Sequence, residues 1–215
     1  MHVTIFDLDG TLTWRDSFAG FIIGYLRRNP GRWFRVWRIP AVLLRFLING
    51  RDRGLLKQDT IQIFMRGDLR PKIDVWAQEF STAILRSGCR PAALAVLDAH
   101  RRSGDFLVLL SASPSLYVPR IGSLLRFDRV ICTEVAFDGD TLRGELTTPN
   151  RRGEEKARCL RELRAEFPDA VVTAYGNSAS DLAHLQLADL GMLVNPAAMA
   201  RRHARDLKVA VGDWR

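Results

Sequence analysis

The chain opens MHVTIFDLDGTLTW, residues 1–14. His2 to Phe6 reads as a short strand. Asp7 and Asp9 follow it, one residue apart, and Gly10 comes next. Two carboxylates forced together repel, and only protonation or a cation relieves the repulsion. A hard divalent cation such as Mg²⁺ suits a site offering only oxygen donors. Gly10 lets the backbone turn sharply and bring amide N–H groups close to an anion. A cation, amide donors and a nucleophilic carboxylate are the parts that phosphoryl transfer needs. The plain alternative is a solvated turn. A Ca²⁺ loop is excluded, because the third acid is missing and Phe18 stands where the terminal Glu belongs.

The rest of the chain says what kind of sheet that strand joins. Asp16 to about Ser103 is helical in pattern, with breaks near Asn29-Pro30, Asn49-Gly50, Gly67 and Gly88. Phe106 to Ser113, FLVLLSAS, is a continuous apolar run ending in small polar residues, as in a parallel strand buried on both faces. A helix is expected at Ser115–Leu125, a strand at Arg129–Val135, and a hairpin with D-G and R-G turns at Phe137–Leu146. Helices at Glu154–Phe167, Ala179–Ala188 and Ala197–Asp206 alternate with strands at Ala170–Tyr175 and Met192–Val194. This alternation predicts a doubly wound parallel α/β sheet. Its core is expected at residues 1–14 and 104–215, with a helical cap, residues 15–103, inserted after the first strand. Such sheets bind ligands at the carboxyl ends of their strands. Asp7, Asp9, Ser111, Ser113, Asn177 and Asp181 all fall there.

Composition bounds the rest. The 215 residues are 47% hydrophobic and 26% charged, a globular balance. Cys89, Cys132 and Cys159 are odd in number and lack C-x-x-C spacing, which argues against disulfides or zinc and for a reducing cytoplasm. His2, His100, His184 and His203 have no metal-ligand spacing, and Asp7 arrives too early for a signal peptide. The net charge is +8, and it is local. Arg27, Arg28, Arg32, Arg35, Arg38, Arg45, Arg51, Arg53 and Lys57 face only Asp52 within their segment, which therefore carries the whole surplus. A field that local implies an anionic partner.

DLDGTLT, Asp7 to Thr13, resembles the first motif of the haloacid-dehalogenase superfamily, which is mostly phosphatases. LLSAS, Lys156 in GEEKARCL, and YGNSASDL resemble its second, third and fourth motifs, in order, and the likeness spans Val3 to Pro196. The large insertion between motifs one and two is similar to that of the phosphoserine-phosphatase-like subgroup. The resemblance implies the superfamily's Rossmann-like core and an Mg²⁺-dependent phosphomonoester hydrolase working through an aspartyl-phosphate. Asp7 would be the nucleophile and a metal ligand. Asp9 would be the general acid and base, its carbonyl on the metal. Ser111, Lys156 and the amides around Gly10 would hold phosphate. Asn177 departs from the family's Asp, so either Asn177 or Asp181 is the direct metal ligand.

Residues 32–48, RWFRVWRIPAVLLRFLI, set the substrate question. Arg28, Arg32, Arg35, Arg38 and Arg45 recur as a helical stripe among Trp33, Phe34, Trp37, Val42, Leu43, Leu44 and Phe46. The stretch is too short to span a bilayer and matches a helix lying in the interface of an anionic membrane. An ordinary cap helix with solvated arginines is the alternative. Nucleic acid is not expected, since the apolar content exceeds what a phosphate-tracking groove needs. The cap is similar in character to that of bacterial phosphatidylglycerophosphatases: twin arginines, a mixed apolar-basic run, then N-G-R. This implies a lipid phosphate at the cytoplasmic face of the inner membrane. The alternative is phosphoserine or another small soluble phosphomonoester.

Overall fold

The computed structural model describes residues 1–214. In chain order the strands are β1 (His2–Phe6), β2 (Phe106–Pro114), β3 (Arg129–Thr133), β4 (Val135–Asp138), β5 (Thr141–Leu146), β6 (Val171–Gly176), β7 (Leu190–Val194) and β8 (Ala210–Gly212). Six of them form one parallel sheet in the order β3-β2-β1-β6-β7-β8. β1 lies near the middle, where the strand order reverses direction, and its C-terminal end therefore opens a crevice between the loops after β2 and β6. Alternation along the strands feeds two apolar layers. Val3, Ile5, Val108, Leu110, Val172 and Ala174 pack on one face, and Phe6, Leu107, Leu109 and Tyr175 on the other.

The helices are α1 (Ser17–Arg28), α2 (Ile39–Ile48), α3 (Arg53–Met65), α4 (Arg70–Ala83), α5 (Pro91–Arg102), α6 (Val118–Leu124), α7 (Glu154–Glu166), α8 (Leu182–Leu185) and α9 (Ala198–Asp206). α7, α8 and α9 cover the first face through Cys159, Leu160, Leu163, Leu182, Leu185, Ala200 and Ala204. The second face is covered by α5 and α6, and its apolar layer runs on without a break into the cap, to Phe21, Ile22, Ile61 and Phe64. The chain leaves and re-enters the sheet domain at one place: Thr13 bridges Cys89, and Trp14 N donates to Gly88 O at 2.9 Å. α5 then packs on the sheet, where His100 Nε2 lies 2.9 Å from the Tyr175 hydroxyl and Thr4 Oγ1 donates to Asp105 at 2.8 Å. We therefore draw the cap as residues 15–90 rather than 15–103.

Other expectations shift for local reasons. Residues 30–38 form a 3₁₀ helix (Pro30–Arg38), not part of a continuous α-helix. Asn29 ends α1, and the proline at 30 starts a new turn. The arginine spacing of three then matches the 3₁₀ period, which aligns side chains at i and i+3. The D-G turn is present between β4 and β5, with Gly139 at φ +54°. The R-G turn is not: Gly144 lies inside β5 at φ +80°, and a Cβ there would sit 3.1 Å from both Gln62 and Ile61. Gly144 is thus where β5 presses onto α3. β8, three residues long, was not legible as a strand.

Candidate active site

Asp7 ends β1, and its N–H donates to Tyr175 O at 3.0 Å, which locks it beside β6. Leu8 to Leu12 make one loose helical turn, interrupted by Gly10 at φ +84°. A Cβ at Gly10 would meet the Asn177 side-chain nitrogen at 2.0 Å, so only glycine lets the loops after β1 and β6 touch. Asp7, Asp9, Gly10, Lys156, Asn177 and Asp181 line one crevice of about 460 Å³ at that point. The structure thus brings together six of the seven residues singled out from the sequence.

Lys156, in the first turn of α7, is buried and donates to both Asp7 Oδ1 (2.6 Å) and Asp181 Oδ1 (2.7 Å). Thr11 donates to the other Asp7 oxygen at 2.9 Å. The three charges do not share the site evenly. Burial pushes Asp7 up to about 7 despite Lys156, with Asp181 and Asp9 adding repulsion. Burial works the same way on Asp181, yet Lys156 overrides it and holds that carboxyl well below the usual range. Lys156 is buried too, but its two carboxylates keep it charged. Asp181 is also occupied on its other oxygen, which accepts from the Ser178 N–H (2.9 Å) and hydroxyl (2.8 Å) in a capping box. One turn on, burial and Lys156 push the imidazole of His184 down to about 3, so it stays neutral.

Asp9 is held by other partners than Asp7 is. Its carboxylate accepts from Ser17 N at 2.7 Å and from the Ser113 hydroxyl at 2.6 Å. Burial raises its pKa against those two donors, which favours the protonated form that a general acid needs. Ser111 is the one singled-out residue that does not line the crevice. It is fully buried, and its hydroxyl oxygen accepts from Ser113 N at 3.0 Å. Ala112 and Ser113 form the wall instead, in the stretch where β2's register with β3 shifts between Leu110 and Pro114.

The donors at this point are all oxygens. Among the described residues no three Asp, Glu, His or Cys side chains converge as a metal nest. Asp181 is committed to Lys156 and its helix cap, and Asp9 to Ser17 and Ser113. Asp7, the Asn177 amide oxygen and backbone carbonyls remain. The Asn177 side chain forms no hydrogen bond among the described residues and abuts Gly10 within the crevice. A few hard oxygen donors fit Mg²⁺, which keeps much of its water shell.

Sequence reasoning missed a second group in the same crevice. Trp14, Arg15, Asp16, Arg53, Lys57 and Arg152 line its outer half. Lys57, on α3, donates to Ala112 O and to Asn150 Oδ1 (3.0 Å), tying the cap to the C-terminal end of β2 and to the loop before α7. Burial pushes it down to about 8. Arg53 on the cap and Arg152 on the core form no ion pair among the described residues. Burial, and then the charge of Arg53, lower the pKa of Arg152. The only sequence signal was the basic excess around Arg51–Lys57; nothing local marked Arg152 as its neighbour.

Residues 4–186 match the family model of the haloacid dehalogenase-like hydrolases. The chain is similar to protein CicA of Caulobacter vibrioides, 36% identical over 187 residues that cover 86% of this chain and 82% of that protein. Its fold is similar to that of a Bordetella pertussis Tohama I protein of unknown function, with a TM-score of 0.83, 20% identity, and 100% and 99% of the two chains covered. It is also similar to a phosphoserine phosphatase solved as a phospho-aspartyl intermediate analogue, with a TM-score of 0.66, 13% identity, and 100% and 93% covered. With the match covering most of its length, the chain belongs to the haloacid dehalogenase-like hydrolases.

Proposed function

We propose that the protein is a phosphatase that hydrolyses a phosphomonoester through an aspartyl-phosphate on Asp7, with Mg²⁺ as cofactor. The observation that carries this reading is the buried Asp7–Lys156–Asp181 arrangement opposite a protonation-prone Asp9. One Asp7 oxygen attacks phosphorus and the P–O bond to the leaving group breaks. Asp9 gives its proton to the departing oxygen, then takes one from the water that cleaves the acyl phosphate. Lys156 stabilises the charge gathering on the phosphoryl oxygens, and the amides around Gly10 and Ala112 cradle them. Ser111 supports this wall from behind, through Ser113. Asp7, the Asp9 carbonyl and Asn177 would hold the cation, whose charge neutralises phosphate and favours ionised Asp7.

The substrate we favour is a lipid phosphate such as phosphatidylglycerophosphate, met at the cytoplasmic face of the inner membrane. Two features support it. Arg53 and Arg152 offer unpaired guanidinium groups to a second anionic group on the leaving side. Residues 29–51 contain no acid, and Trp37 and Ile48 there are 74% and 73% exposed. No helix among the described residues is long and apolar enough to cross a membrane, so Arg28–Ile48 would lie in the interface. A small zwitterion such as phosphoserine is the second reading. Its support is Asp16 in the outer crevice, whose hydrogen bonds to Phe18 N and Ala19 N engage only Oδ1 and leave Oδ2 open to an ammonium group. The test is turnover of a phosphomonoester panel, lipid phosphates and phosphoserine included, with Mg²⁺ and with chelator. Asp7→Asn turnover equal to wild type would sink the mechanism.

A further inference from the structure

We propose that the cap carries a second anion site, separate from the catalytic crevice, which takes the phosphate of an anionic phospholipid that is not the substrate. It rests on the membrane reading above and adds a defined pocket to it. The pocket, about 460 Å³, lies between the 3₁₀ helix with α2 on one side and the C-terminal half of α3 on the other. Its polar wall is Arg38, Arg45, Asp59, Gln62 and Arg66. Arg53 and Lys57, at the start of α3, face the catalytic crevice. With a rise of 1.5 Å per residue, Lys57 in the crevice and Arg66 in the pocket are about 14 Å apart along that helix.

The charges explain why the pocket suits an anion. Arg32, Arg35 and Arg38 form one row at the 3₁₀ spacing of three. The first two are used internally: Arg32 donates to Phe64 O and Asp68, and Arg35 to Ile63 O at 3.0 Å. These carbonyls belong to the last turn of α3, where cations are favoured. Arg38, third in the row, has no carbonyl or acid to meet. Arg66 has none either among the described residues. Arg45 is oriented by Asp59 at 2.8 Å, which neutralises that acid within the wall. Two unpaired guanidinium forks and one fixed one therefore line a pocket with no uncompensated acid. Such forks match phosphate oxygens in pairs.

The surroundings select a lipid over a free phosphate. Trp37 forms part of the pocket and is largely exposed. Leu44 and Ile48 follow Ala41, another lining residue, by three and seven positions on α2, so they share its helix face. Both are exposed. A headgroup phosphate in the pocket would leave its acyl chains beside this apolar face, with Trp37 at headgroup level.

The test is co-sedimentation of the full chain with vesicles of phosphatidylglycerol in phosphatidylcholine, at low salt and at about 0.5 M salt, where screening removes most diffuse attraction. Three proteins are compared: wild type, Arg38→Gln/Arg66→Gln, and Arg27→Gln/Arg86→Gln, which removes the same charge from exposed cap positions outside the pocket. All substituted side chains are exposed, and circular dichroism checks folding. The pocket predicts that the first pair costs at least about tenfold more vesicle affinity than the second, because bidentate contacts are lost as well as charge. It also predicts that binding surviving at high salt disappears only in the first pair. Equal losses in the two pairs overturn the site and leave membrane binding as diffuse charge. If wild type ignores phosphatidylglycerol vesicles, the site and the membrane reading both fall, whereas Asp7-dependent turnover still decides the phosphatase reading on its own.

Discussion

Lys156 Nζ stands 2.6 Å from Asp7 Oδ1, yet burial still pushes Asp7 up to about 7. One ammonium group is shared between two buried carboxylates, 2.6 Å from Asp7 and 2.7 Å from Asp181. Asp7 is thus left short of positive charge in the free protein. That deficit is what a divalent cation and a phosphoryl group would each act on, and it makes the site testable by stability as well as by turnover.

Removing Asp7 should change the pH dependence of stability. Its ordinary carboxyl value is 3.8, and the folded value is about 7. Between these, the folded chain holds a proton that the unfolded chain has released. Stability therefore falls as pH rises through this window and stays lower above it. Asp7→Asn cannot titrate there. Its melting temperature relative to wild type should climb from pH 4 to pH 7 and then level off, in chelator. Mg²⁺ should raise the wild-type melting temperature more than that of the variant. A flat difference across the window would show that Asp7 is not perturbed as described.

Lys156→Met should be severe on both counts. It leaves Asp7 and Asp181 facing each other, buried, without their shared counter-charge. Breaking a buried pair in this way costs about 3–5 kcal/mol, read as a drop in the denaturant midpoint near neutral pH. Turnover should fall by about 10²-fold or more, the scale of one lost donor to the developing charge. Lys156→Arg tests geometry separately: the charge is kept, but a planar fork cannot occupy a point between two oxygens. A wild-type rate in Lys156→Met would remove this residue from the phosphate site.

Much of this was legible from the first 14 residues. Asp7, Asp9 and Asp181 could be read because each follows a strand-like run and the sheet rule gathers such positions, whereas Lys156 was marked only by its place in the order of the family's motifs. Ser111 and Ser113 could not be told apart, because the shift in β2's register with β3 between Leu110 and Pro114 has no signal in the sequence. The cap arginines misled for a different reason. Arg28, Arg32 and Arg45 pair with Glu79, Asp68 and Asp59 from later in the chain, so a charge surplus counted within one segment overstated what is free. Arg152 had no local signal at all. Its meeting with Arg53 exists only because α3 folds back over the loop before α7.

Gly10→Ala probes the contact between the two loops. The backbone at φ +84° strains any other residue by about 1 kcal/mol, and the new Cβ would press on the Asn177 side chain. Turnover should drop by about tenfold or more for a loss of about 1–2 kcal/mol in stability, since the strain falls between groups proposed to hold the cation. The half-saturating Mg²⁺ concentration should rise. An unchanged Mg²⁺ response would separate Gly10 and Asn177 from the cation site.

Asn177→Asp asks the complementary question. The Asn177 side chain has no hydrogen-bonding partner among the described residues and sits against Gly10 in the crevice. A carboxylate in its place gives a hard cation a charged oxygen at nearly constant volume, so the half-saturating Mg²⁺ concentration should fall. The same charge lies close to Asp7 and adds repulsion when no cation is bound. The variant should therefore melt below wild type in chelator and recover the difference as Mg²⁺ is added. These two effects have opposite signs and one cause. If the melting temperature falls in chelator but Mg²⁺ affinity does not improve, the new carboxylate is in the crevice but does not reach the cation. Asp181 would then have to release Lys156 to serve as the ligand.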